Sequence, residues 1–323
     1  MKNPTIAEVA RRAGVSKSTV SAVLNNKDIV KESTRQAILQ VIDELDYRPQ
    51  ASARRRMPAA TGSGICFVIK EPGNPYYAEV LDGIQDVAHE QGCLVFACSS
   101  EGVSDLEHQI ARQCTARAID GLVVTPILND DSDLSHLFEL KRNNVPFVLL
   151  ERVRGLQTNL VDIDNVRASA EAVRYLIENG HSRVAHFAGP RYSAHREERV
   201  EGFRRAFSES HLMLDPKMIV HVGDSMEDGY REGLRFFEGA DRPTAVTCYN
   251  DLVALGLMRA LAERGIRVPD DVSVVGFDDL AMLDYFPVPL TSVHVPKYEM
   301  GQKAAALLLR QMASKKEHAI EKI

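Results

Sequence analysis

The sequence predicts a small all-helical head followed by an α/β body of two lobes, each a doubly wound parallel sheet. Apolar residues recur with a helical spacing over residues 5–45, whereas from residue 64 onward short apolar runs alternate with amphipathic stretches in two successive series. Residues 1–58 contain four Lys and seven Arg against six acids, a net +5, and the remainder carries −11 of the total −6. A basic head on an acidic body is typical of a polyanion-binding module joined to a second unit, although solvated charged surfaces are also common.

The composition excludes several classes of protein. Hydrophobic residues make up 45% and charged residues 26% of the chain, which is the balance of a globular protein. No apolar run approaches the roughly 18–20 residues needed to cross a bilayer, and the stretch MKNPTIAEVARRAG lacks the apolar core of a secretory signal. Five cysteines without paired short spacings argue against a disulfide framework and a zinc ribbon. We therefore expect a cytoplasmic protein with no membrane segment and no bound metal.

The apolar spacing of the head predicts three helices. Thr5 is a suitable N-cap for the first helix, and Glu8 stands three residues later, where a capping box requires it. Gly14 suits a tight turn, Ser16 can cap a second helix, and a third helix fits Lys31 to Leu45. Two short helices around a glycine-containing turn form a helix-turn-helix, whose second helix can enter the major groove of DNA.

The second helix has an apolar and a polar side. We expect Val20, Val23 and Leu24 to face inward, and Lys17, Ser18, Ser21 and Ala22 to face outward. Lys17 and Ser18 lie at the N-terminal end, which normally meets base edges, and the methyl group of Ala22 can contact thymine. The alternative is a plain three-helix bundle with an exposed polar helix, which the basic charge of the head disfavours.

Two segments of the head carry a specific resemblance. TIAEVARRAGVSKSTVSAVLNN (5–26) and VKESTRQAILQVIDELDYRPQASAR (30–54) resemble the DNA-binding head and hinge of the lactose-repressor (LacI/GalR) family. The resemblance implies a helix-turn-helix domain over 1–48 and a hinge helix and linker over 49–61. In that family the hinge helix folds when two subunits meet on DNA, and it enters the minor groove. A helix this short is unstable alone in water, so its order depends on DNA and on dimerisation.

The resemblance also assigns DNA-contacting positions. The expected DNA-binding residues are Thr5, Ser16, Lys17, Ser18, Thr19, Ser21, Ala22, Asn25, Tyr47, Ala53, Arg54, Arg55 and Arg56. Arg56 stands where the family usually has a leucine that wedges open the central base step. Arg56 can enter a narrow minor groove, Met57 can act as the wedge after a one-residue shift of register, or the arginines contact phosphates only. We expect this protein to bend its operator less than leucine-bearing relatives do.

The body predicts strands and helices in alternation. The expected strands are 65–69, 93–98, 121–124 and 146–150 in the first series, and 183–188, 245–250 and 272–277 in the second. The expected helices are 75–91, 104–117, 132–144, 165–179, 197–210, 226–238 and 251–264. The apolar runs are typical of buried parallel strands, and doubly wound sheets bind ligands in a crevice outside the strand ends.

Four motifs of the body resemble the same family. They are NPYYAEVLDGI (74–84), IENGHSRVAHFAGP (177–190), CYNDLVALGLMRAL (248–261) and VPDDVSVVGFDDL (268–280). The resemblance runs through about residue 312. It implies the periplasmic-binding-protein type I fold for a two-lobe effector-binding and dimerisation domain over 62–323, with three crossovers between the lobes. Family members usually continue past the helix ending near Met312 into a final strand. Because this chain ends in AIEKI, we expect either a truncated chain or a fold without that strand.

Loops at the strand ends supply candidate effector-binding residues, because side chains and helix N-termini converge there. Taken from the residues and the resemblance together, the candidates are Tyr76, Tyr77, Arg152, Ser193, His195, Arg196, Asp251 and Asp278. Asp251 is also a good helix N-cap, Tyr77 can simply pack beneath its helix, and we expect Arg199 to order its loop. A neutral sugar, a sugar phosphate and a nucleobase all remain open as effectors, and the resemblance favours a sugar-like one.

These observations predict a sequence-specific DNA-binding transcriptional regulator, in the first place a repressor. We expect it to bind a pseudo-palindromic operator as a homodimer, or as a tetramer, under the control of a small-molecule effector. The second candidate is a ligand-binding protein such as a transporter's solute receptor, against which the head argues. The third is an enzyme, but the sequence has no GxGxxG after the first strand, no GxxxxGK[ST] and no HExxH. We therefore expect no catalytic activity and no cofactor.

Overall fold

The computed structural model describes residues 5–24, 30–45, 64–116, 119–128, 132–191, 193–239, 242–313 and 319–322. These residues fall into two compact units, which take in residues 1–62 and 63–323. The expected hinge over 49–61 lies outside the described residues. The same holds for Asn25, Tyr47, Ala53, Arg54, Arg55, Arg56 and Met57. Within the described ranges, no helix is long and apolar enough to span a membrane.

The described part of the first unit forms three helices: α1 Ile6–Arg12, α2 Lys17–Leu24 and α3 Glu32–Glu44. The Thr5 hydroxyl accepts a hydrogen bond from the Glu8 amide, so Thr5 caps α1 as predicted. The Glu8 carboxylate bonds to the Arg11 guanidinium, so the predicted capping box is only half formed. The Ser16 hydroxyl caps α2 by accepting a hydrogen bond from the Thr19 amide at 3.1 Å.

A small apolar core joins the three helices. Its buried members are Val9, Ala10, Val20, Val23 and Ile38. The turn between α1 and α2 contains Gly14 at φ +65°, in the left-handed region that glycine adopts without strain. The helix-turn-helix predicted for the head is confirmed.

The first lobe of the second unit has six strands. They are β1 Gly64–Ile69, β2 Leu94–Ser99, β3 Gly121–Val124, β4 Phe147–Leu149, β5 Asn159–Asp162 and β11 Ile320–Lys322. They form an entirely parallel sheet in the order β11-β5-β4-β3-β1-β2. The helices of this lobe are α4 Tyr76–Glu90, α5 Ser104–Ala116, α6 Ser135–Arg142 and α11 Lys297–Ala313. Every residue of β1, β3 and β4 is buried, which explains their continuous apolar runs.

The second lobe repeats this architecture with five strands. They are β6 Val184–Phe187, β7 Ile219–Val220, β8 Ala245–Cys248, β9 Ser273–Asp278 and β10 Thr291–His294. They form a parallel sheet in the order β10-β9-β8-β6-β7. Its helices are α7 Asn165–Glu178, α8 Ala194–Glu209, α9 Met226–Phe236 and α10 Asp251–Glu263. The predicted pair of doubly wound, parallel lobes is confirmed.

The prediction is wrong at the edges of both sheets. It omitted the edge strands β7, β10 and β11, and also β5 beside β11, because these strands are short and carry few consecutive apolar residues. It also placed the strand over 93–98 in the buried interior, whereas β2 is an edge strand in which Leu94 is 58% exposed and Phe96 47% exposed. An apolar run alone does not distinguish a central strand from an edge strand with one uncovered face.

The expectation of a missing final strand is also wrong. Ile320–Lys322 forms β11, which pairs in parallel with β5 and places Ile320 opposite Leu160. Arg310 on α11 reinforces this pairing through an ion pair with Glu321 at 2.9 Å. The AIEKI segment therefore supplies a strand of the first lobe.

Within the described residues, the chain crosses from one lobe to the other twice, whereas the resemblance implies three crossings. The first passage, at 163–164, leads from β5 to α7, and the second, at 295–296, leads from β10 to α11. Each passage leaves a strand at its carboxyl end. The loops that build the site described below therefore lie at the carboxyl ends of the two sheets, as expected for doubly wound folds.

Two glycines let α4 and α11 cross in close contact. A Cβ atom on Gly83 would fall on the carbonyl oxygen of Tyr298, and one on Gly301 would fall on the carbonyl oxygen of Val80. Since backbone oxygens cannot move aside as a flexible side chain can, the crossing requires both glycines. This helix pair covers one face of the first sheet and fixes the loop before α4, which carries part of the site.

Candidate functional site

A cavity between the two lobes collects polar side chains from the strand ends of both sheets. It is lined by residues that follow β1, β3, β4, β7 and β8, and by the last residues of β5 and β9. Among the described residues, five carboxyl groups reach it, those of Glu71, Glu151, Asp162, Asp224 and Asp278. Three tyrosines of the described ranges also line it, namely Tyr76, Tyr77 and Tyr249. Aromatic rings beside hydrogen-bonding groups are typical of sites that bind small molecules.

Glu151 lies at the centre of a hydrogen-bond chain that crosses from the first lobe to the second. It is 3% exposed, and it accepts a hydrogen bond from the Lys70 ammonium at 3.2 Å. Its other oxygen accepts one from the Ser193 hydroxyl, in the second lobe, at 2.6 Å, and that hydroxyl lies 3.1 Å from the Tyr249 hydroxyl. Burial alone would raise the pKa of Glu151, but Lys70, His195 and the Ser193 bond bring it to about 2. The carboxylate therefore stays charged and ties the lobes together.

Arg199 on α8 lines the cavity and also fixes its wall. The side chain is buried, and its guanidinium donates to Asn165 Oδ1 at 2.9 Å and to the Tyr249 carbonyl oxygen. It lies 3.5 Å from the centre of the Phe277 ring, a cation–π contact. Arg199 was expected to order its own loop, whereas these contacts hold α7, the residue after β8, and β9. Its place in the cavity lining was not predicted.

Asp278, at the end of β9, has an unusual backbone conformation. Its φ is +115° and that of Asp279 is +54°, both in a region that residues other than glycine rarely adopt. The buried Lys297 ammonium donates to the carbonyl oxygens of Asp278 at 2.6 Å and Asp279 at 2.8 Å, which holds this turn in place. Burial raises the pKa of Asp278 to about 7, although the nearby Arg199 opposes the rise. The turn aims this carboxyl group into the cavity.

His195 forms a second link between the lobes. Its Nε2 atom lies 3.1 Å from Asp162 Oδ1 at the end of β5. Burial alone would lower the pKa of His195, but the carboxylates of Asp162 and Glu151 outweigh burial and raise it. The two carboxylates therefore favour the protonated form of the ring, which contacts the first lobe.

Half of the predicted effector-binding residues line the cavity. Tyr76, Tyr77, His195 and Asp278 reach it, and Ser193 lies directly behind Glu151. The Tyr76 hydroxyl contacts the Met300 sulfur at 3.4 Å, which orients its ring. Tyr77 lines the cavity and belongs to the apolar core, so its packing beneath the helix is confirmed, and its contact with an effector stays a prediction.

The other three predicted residues lie elsewhere. Arg152 is exposed, and Arg196 donates a hydrogen bond to His221 at 2.9 Å. Asp251 is fully buried, and it accepts hydrogen bonds from the Leu280 amide at 2.9 Å and the Ser292 hydroxyl at 2.6 Å. Burial raises the pKa of Asp251 to about 6.

The N-cap interpretation of Asp251 is wrong by one residue. The cap of α10 is Asn250, whose side chain accepts a hydrogen bond from the Val253 amide at 2.8 Å. The prediction missed Glu151 in the same way, because it chose the adjacent Arg152. Side chains alternate between the two sides of an extended segment, so an error of one residue selects the wrong side. Asp224 was missed because β7, which precedes it, has only two residues.

The head presents a polar surface at the start of α2. Lys17 and Ser18 are exposed, and the Ser16 hydroxyl lies 2.6 Å from that of Ser18 and 2.8 Å from that of Thr19. Ala22, predicted to face outward, is only 7% exposed. Ala22 is therefore buried, as Val20 and Val23 are, rather than presented on the outward surface of α2. The outward surface of α2 is therefore more polar than predicted.

Comparison with known proteins gives matches over both units. Residues 63–323 match the family described as "Periplasmic binding proteins and sugar binding domain of LacI family", and residues 5–50 match "Bacterial regulatory proteins, lacI family". The HTH-type transcriptional repressor PurR of Vibrio atlanticus is 34% identical over 315 residues, 96% of this chain and 92% of that protein.

Two solved structures also resemble the chain. The complex of the transcriptional regulator CelR with cellobiose is 29% identical, covers 99% of this chain and 97% of its own, and has a TM-score of 0.73. A LacI family transcriptional regulator from Enterococcus faecium with bound ribose is 26% identical, covers 81% of this chain and 95% of its own, and has a TM-score of 0.69.

Proposed function

We propose, since this chain belongs to the LacI family of bacterial regulatory proteins, that a small molecule bound between its two lobes controls how its head binds operator DNA. Membership of that family makes it a helix-turn-helix transcriptional repressor with an effector-binding body. The observation that carries the proposal is the cavity, in which the Asp278 carboxyl group, the Arg199 guanidinium and the Tyr76 ring converge between the two lobes.

The effector we propose is sugar-like. The CelR complex contains cellobiose and the Enterococcus faecium regulator contains ribose, which supports this class by analogy. Carboxyl groups such as Asp278 can accept hydrogen bonds from hydroxyl groups, and the Tyr76 ring can cover the apolar face of a sugar. Of the predicted contacts, we propose Tyr76, Tyr77, His195 and Asp278 as direct ones, and Ser193 as an indirect one through Glu151.

The control mechanism we propose is a shift of one lobe against the other. The Glu151–Ser193 hydrogen bond and the His195–Asp162 contact both cross between the lobes, so a ligand that changes their geometry changes the relation of the lobes. Couplings between two sites of this kind are typically about 1–3 kcal/mol. In a dimer, such a shift alters the spacing of the two hinges and hence the fit to two half-sites.

We propose that the protein acts as a homodimer, which the two-fold symmetry of a palindromic operator requires. The uncovered edge of the first sheet is suited to self-association. Leu94 and Phe96 on β2 and the nearby Val103 are 58%, 47% and 51% exposed. Apolar side chains beside a free strand edge favour pairing with a second copy.

The DNA contacts that we propose begin at the exposed N-terminal end of α2. Lys17 and Ser18 would meet base edges, and the hydroxyl groups of Ser16 and Thr19 are close enough to support them. The arginines of the predicted hinge would contact phosphates or the minor groove. A protein that binds operators in this way works in the bacterial cytoplasm, where the DNA is.

Selection from a random pool of DNA duplexes at near-physiological salt, followed by sequencing, tests this function. The expected result is a palindrome with two half-sites, enriched either by the protein alone or with a stabilising sugar present. Recovery of sequences without a common motif under both conditions would contradict the proposed regulator. A Ser18→Ala variant provides an internal check, since its palindrome should change at a defined position of each half-site.

A further inference from the structure

We propose that the effector carries a protonated amine, which binds between Glu71 of the first lobe and Asp224 of the second. This inference rests on the proposed function, because it assumes that the cavity between the lobes is the effector site. Beyond the proposed function, it specifies the charge of the effector and the residues that bind this charge.

The position of these two residues supports the proposal. Glu71 follows β1 and Asp224 follows β7, so they come from opposite lobes, and both line the cavity. Their carboxyl groups face the same cavity and are close enough to interact, so that Asp224 raises the pKa of Glu71. Two carboxylates can share a hydrogen bond only if one of them keeps a proton. The lobes therefore meet at a pair of acids that repel each other once both are ionised.

The charges around the cavity leave this pair without a cation of its own. Among the described residues, His195 and Arg199 line the cavity and Lys70 lies beside it, and each acts on another carboxyl group. Lys70 pairs with Glu151, His195 contacts Asp162, and the charge of Arg199 acts on Asp278. Lys70 is the nearest cation to Glu71, but its ammonium is bonded to Glu151 at 3.2 Å. The uncompensated charge of the cavity is therefore negative, and it is located at Glu71 and Asp224.

Asp278 gives a second, independent indication of a bound ligand. It is 6% exposed and lines the same cavity, yet no hydrogen bond to its carboxyl group is present among the described residues. The charged groups that face it are Arg199, His195, Lys297 and Asp251. A buried carboxyl group without a donor is costly, so a donor from a ligand is expected to satisfy it. Hydroxyl groups at Asp278 and an amine at the Glu71–Asp224 pair together describe an amino sugar or a related amino alcohol.

The same charges disfavour the other classes of effector. A phosphate or carboxylate would enter a cavity with five carboxyl groups, where Coulomb repulsion in a poorly solvated space is strong. An uncharged sugar would leave the two acids sharing their proton. Only a cation removes the repulsion between the lobes while it contacts both of them. Such a ligand therefore holds the lobes together at the place where they otherwise repel.

The Glu71–Asp224 pair should release a proton when an amine binds to it. Burial, helped by Asp224 and opposed by Lys70, raises the pKa of Glu71 to about 7. Binding of an ammonium group favours the ionised form of both acids, so the shared proton leaves as the amine binds. Affinity for the amine should accordingly rise as the pH increases through about 7, and it should fall again only where the amine itself loses its proton.

Thermal unfolding of the full chain with matched small probes tests the proposal. Ethanolamine, ethylene glycol and glycolate have similar size and differ in charge, as do glucosamine, glucose and glucose 6-phosphate. At equal ionic strength, the amine of each set should raise Tm most. A probe at ten times its Kd raises Tm by roughly 3–6 °C. Glu71→Gln and Asp224→Asn should each abolish the advantage of the amine, whereas the control Glu178→Gln, an exposed acid at the end of α7, should keep it.

The outcomes separate this inference from the proposed function. If the neutral or anionic probes stabilise as well as the amines, or if both cavity variants keep the advantage of the amine, the amine site is overturned while a regulated cavity remains. If none of the six probes stabilises the protein, the amine site is overturned too. The operator selection described above is independent of all these results. Both substitutions are conservative and they lie on opposite lobes, so if one variant misfolds, the other still tests the proposal.

Discussion

Replacing Glu151 by Gln should destabilise the body, because the substitution removes one partner of a buried ion pair. The Lys70 side chain is 17% exposed and the Glu151 side chain 4%, and their charged atoms lie 3.2 Å apart. Breaking such a pair from one side typically costs about 3–5 kcal/mol, since the remaining charge stays buried without compensation. Because Lys70 keeps some contact with water, we expect the lower end, about 3 kcal/mol. Weakening of the Ser193 hydrogen bond adds about 1 kcal/mol.

Urea denaturation at near-neutral pH measures this loss as a change in the free energy of unfolding. The chain has no tryptophan, so circular dichroism is the suitable probe. The control is the double variant Lys70→Met with Glu151→Gln, in which neither charge is left unpaired, and it should regain most of the lost stability. The reasoning is refuted if Glu151→Gln costs less than about 1 kcal/mol, or if the double variant is no more stable than the single one.

Four further outcomes are expected. Lys17→Ala should change the base preferred at one position of each half-site, as read by operator selection; an unchanged preference would contradict the placement of α2 in the major groove. Phe96→Asp should convert the dimer to a monomer in sedimentation equilibrium, and a persistent dimer would exclude the β2 edge as the interface. Gly301→Ala should cost about 1–3 kcal/mol in urea denaturation, because its Cβ meets the Val80 carbonyl oxygen, and a neutral effect would mean that α4 and α11 separate freely. Asp278 has a raised folded-state pKa of about 7 against 3.8, so it binds a proton in the folded state that the unfolded state has lost. Its contribution to the free energy of unfolding should fall between about pH 4 and pH 7, by up to about 1.4 kcal/mol per pH unit; Asp278→Asn should remove this share of the slope and leave the shares of Asp251 and Glu71.

The centre of the fold could be predicted from the sequence because burial leaves a clear pattern. Strands such as β3, whose four residues are all buried, appear as continuous apolar runs, and the bounds predicted for it agree with the structure. At the sheet edges the pattern fails. β7 has only two residues, and β2 is apolar although one face of it is uncovered. Which strand lies at an edge depends on the order of strands in space, which local composition does not contain.

The candidate site could be predicted only in part, for a related reason. Asp278 and Tyr76 were found because they directly follow recognisable strands or lie in a family motif. Glu151 and Asp224 were not found, because each interacts with a residue of the other lobe. Glu151 accepts a hydrogen bond from the Ser193 hydroxyl group, and Asp224 faces the carboxyl group of Glu71. Interactions between lobes join residues far apart in the chain, so they emerge only once the two sheets are placed together.

The most direct test of the central claim is the affinity for the selected operator, measured with and without a compound that raises the Tm of the protein. If the cavity controls the head, the compound should change the Kd of the wild type about 5–150-fold, the range of typical couplings. Asp278→Asn should bind the operator with unchanged affinity and lose this response. The account would be contradicted if a compound that binds the wild type left its operator Kd unchanged. It would also be contradicted if the operator Kd of Asp278→Asn changed with the compound as that of the wild type does.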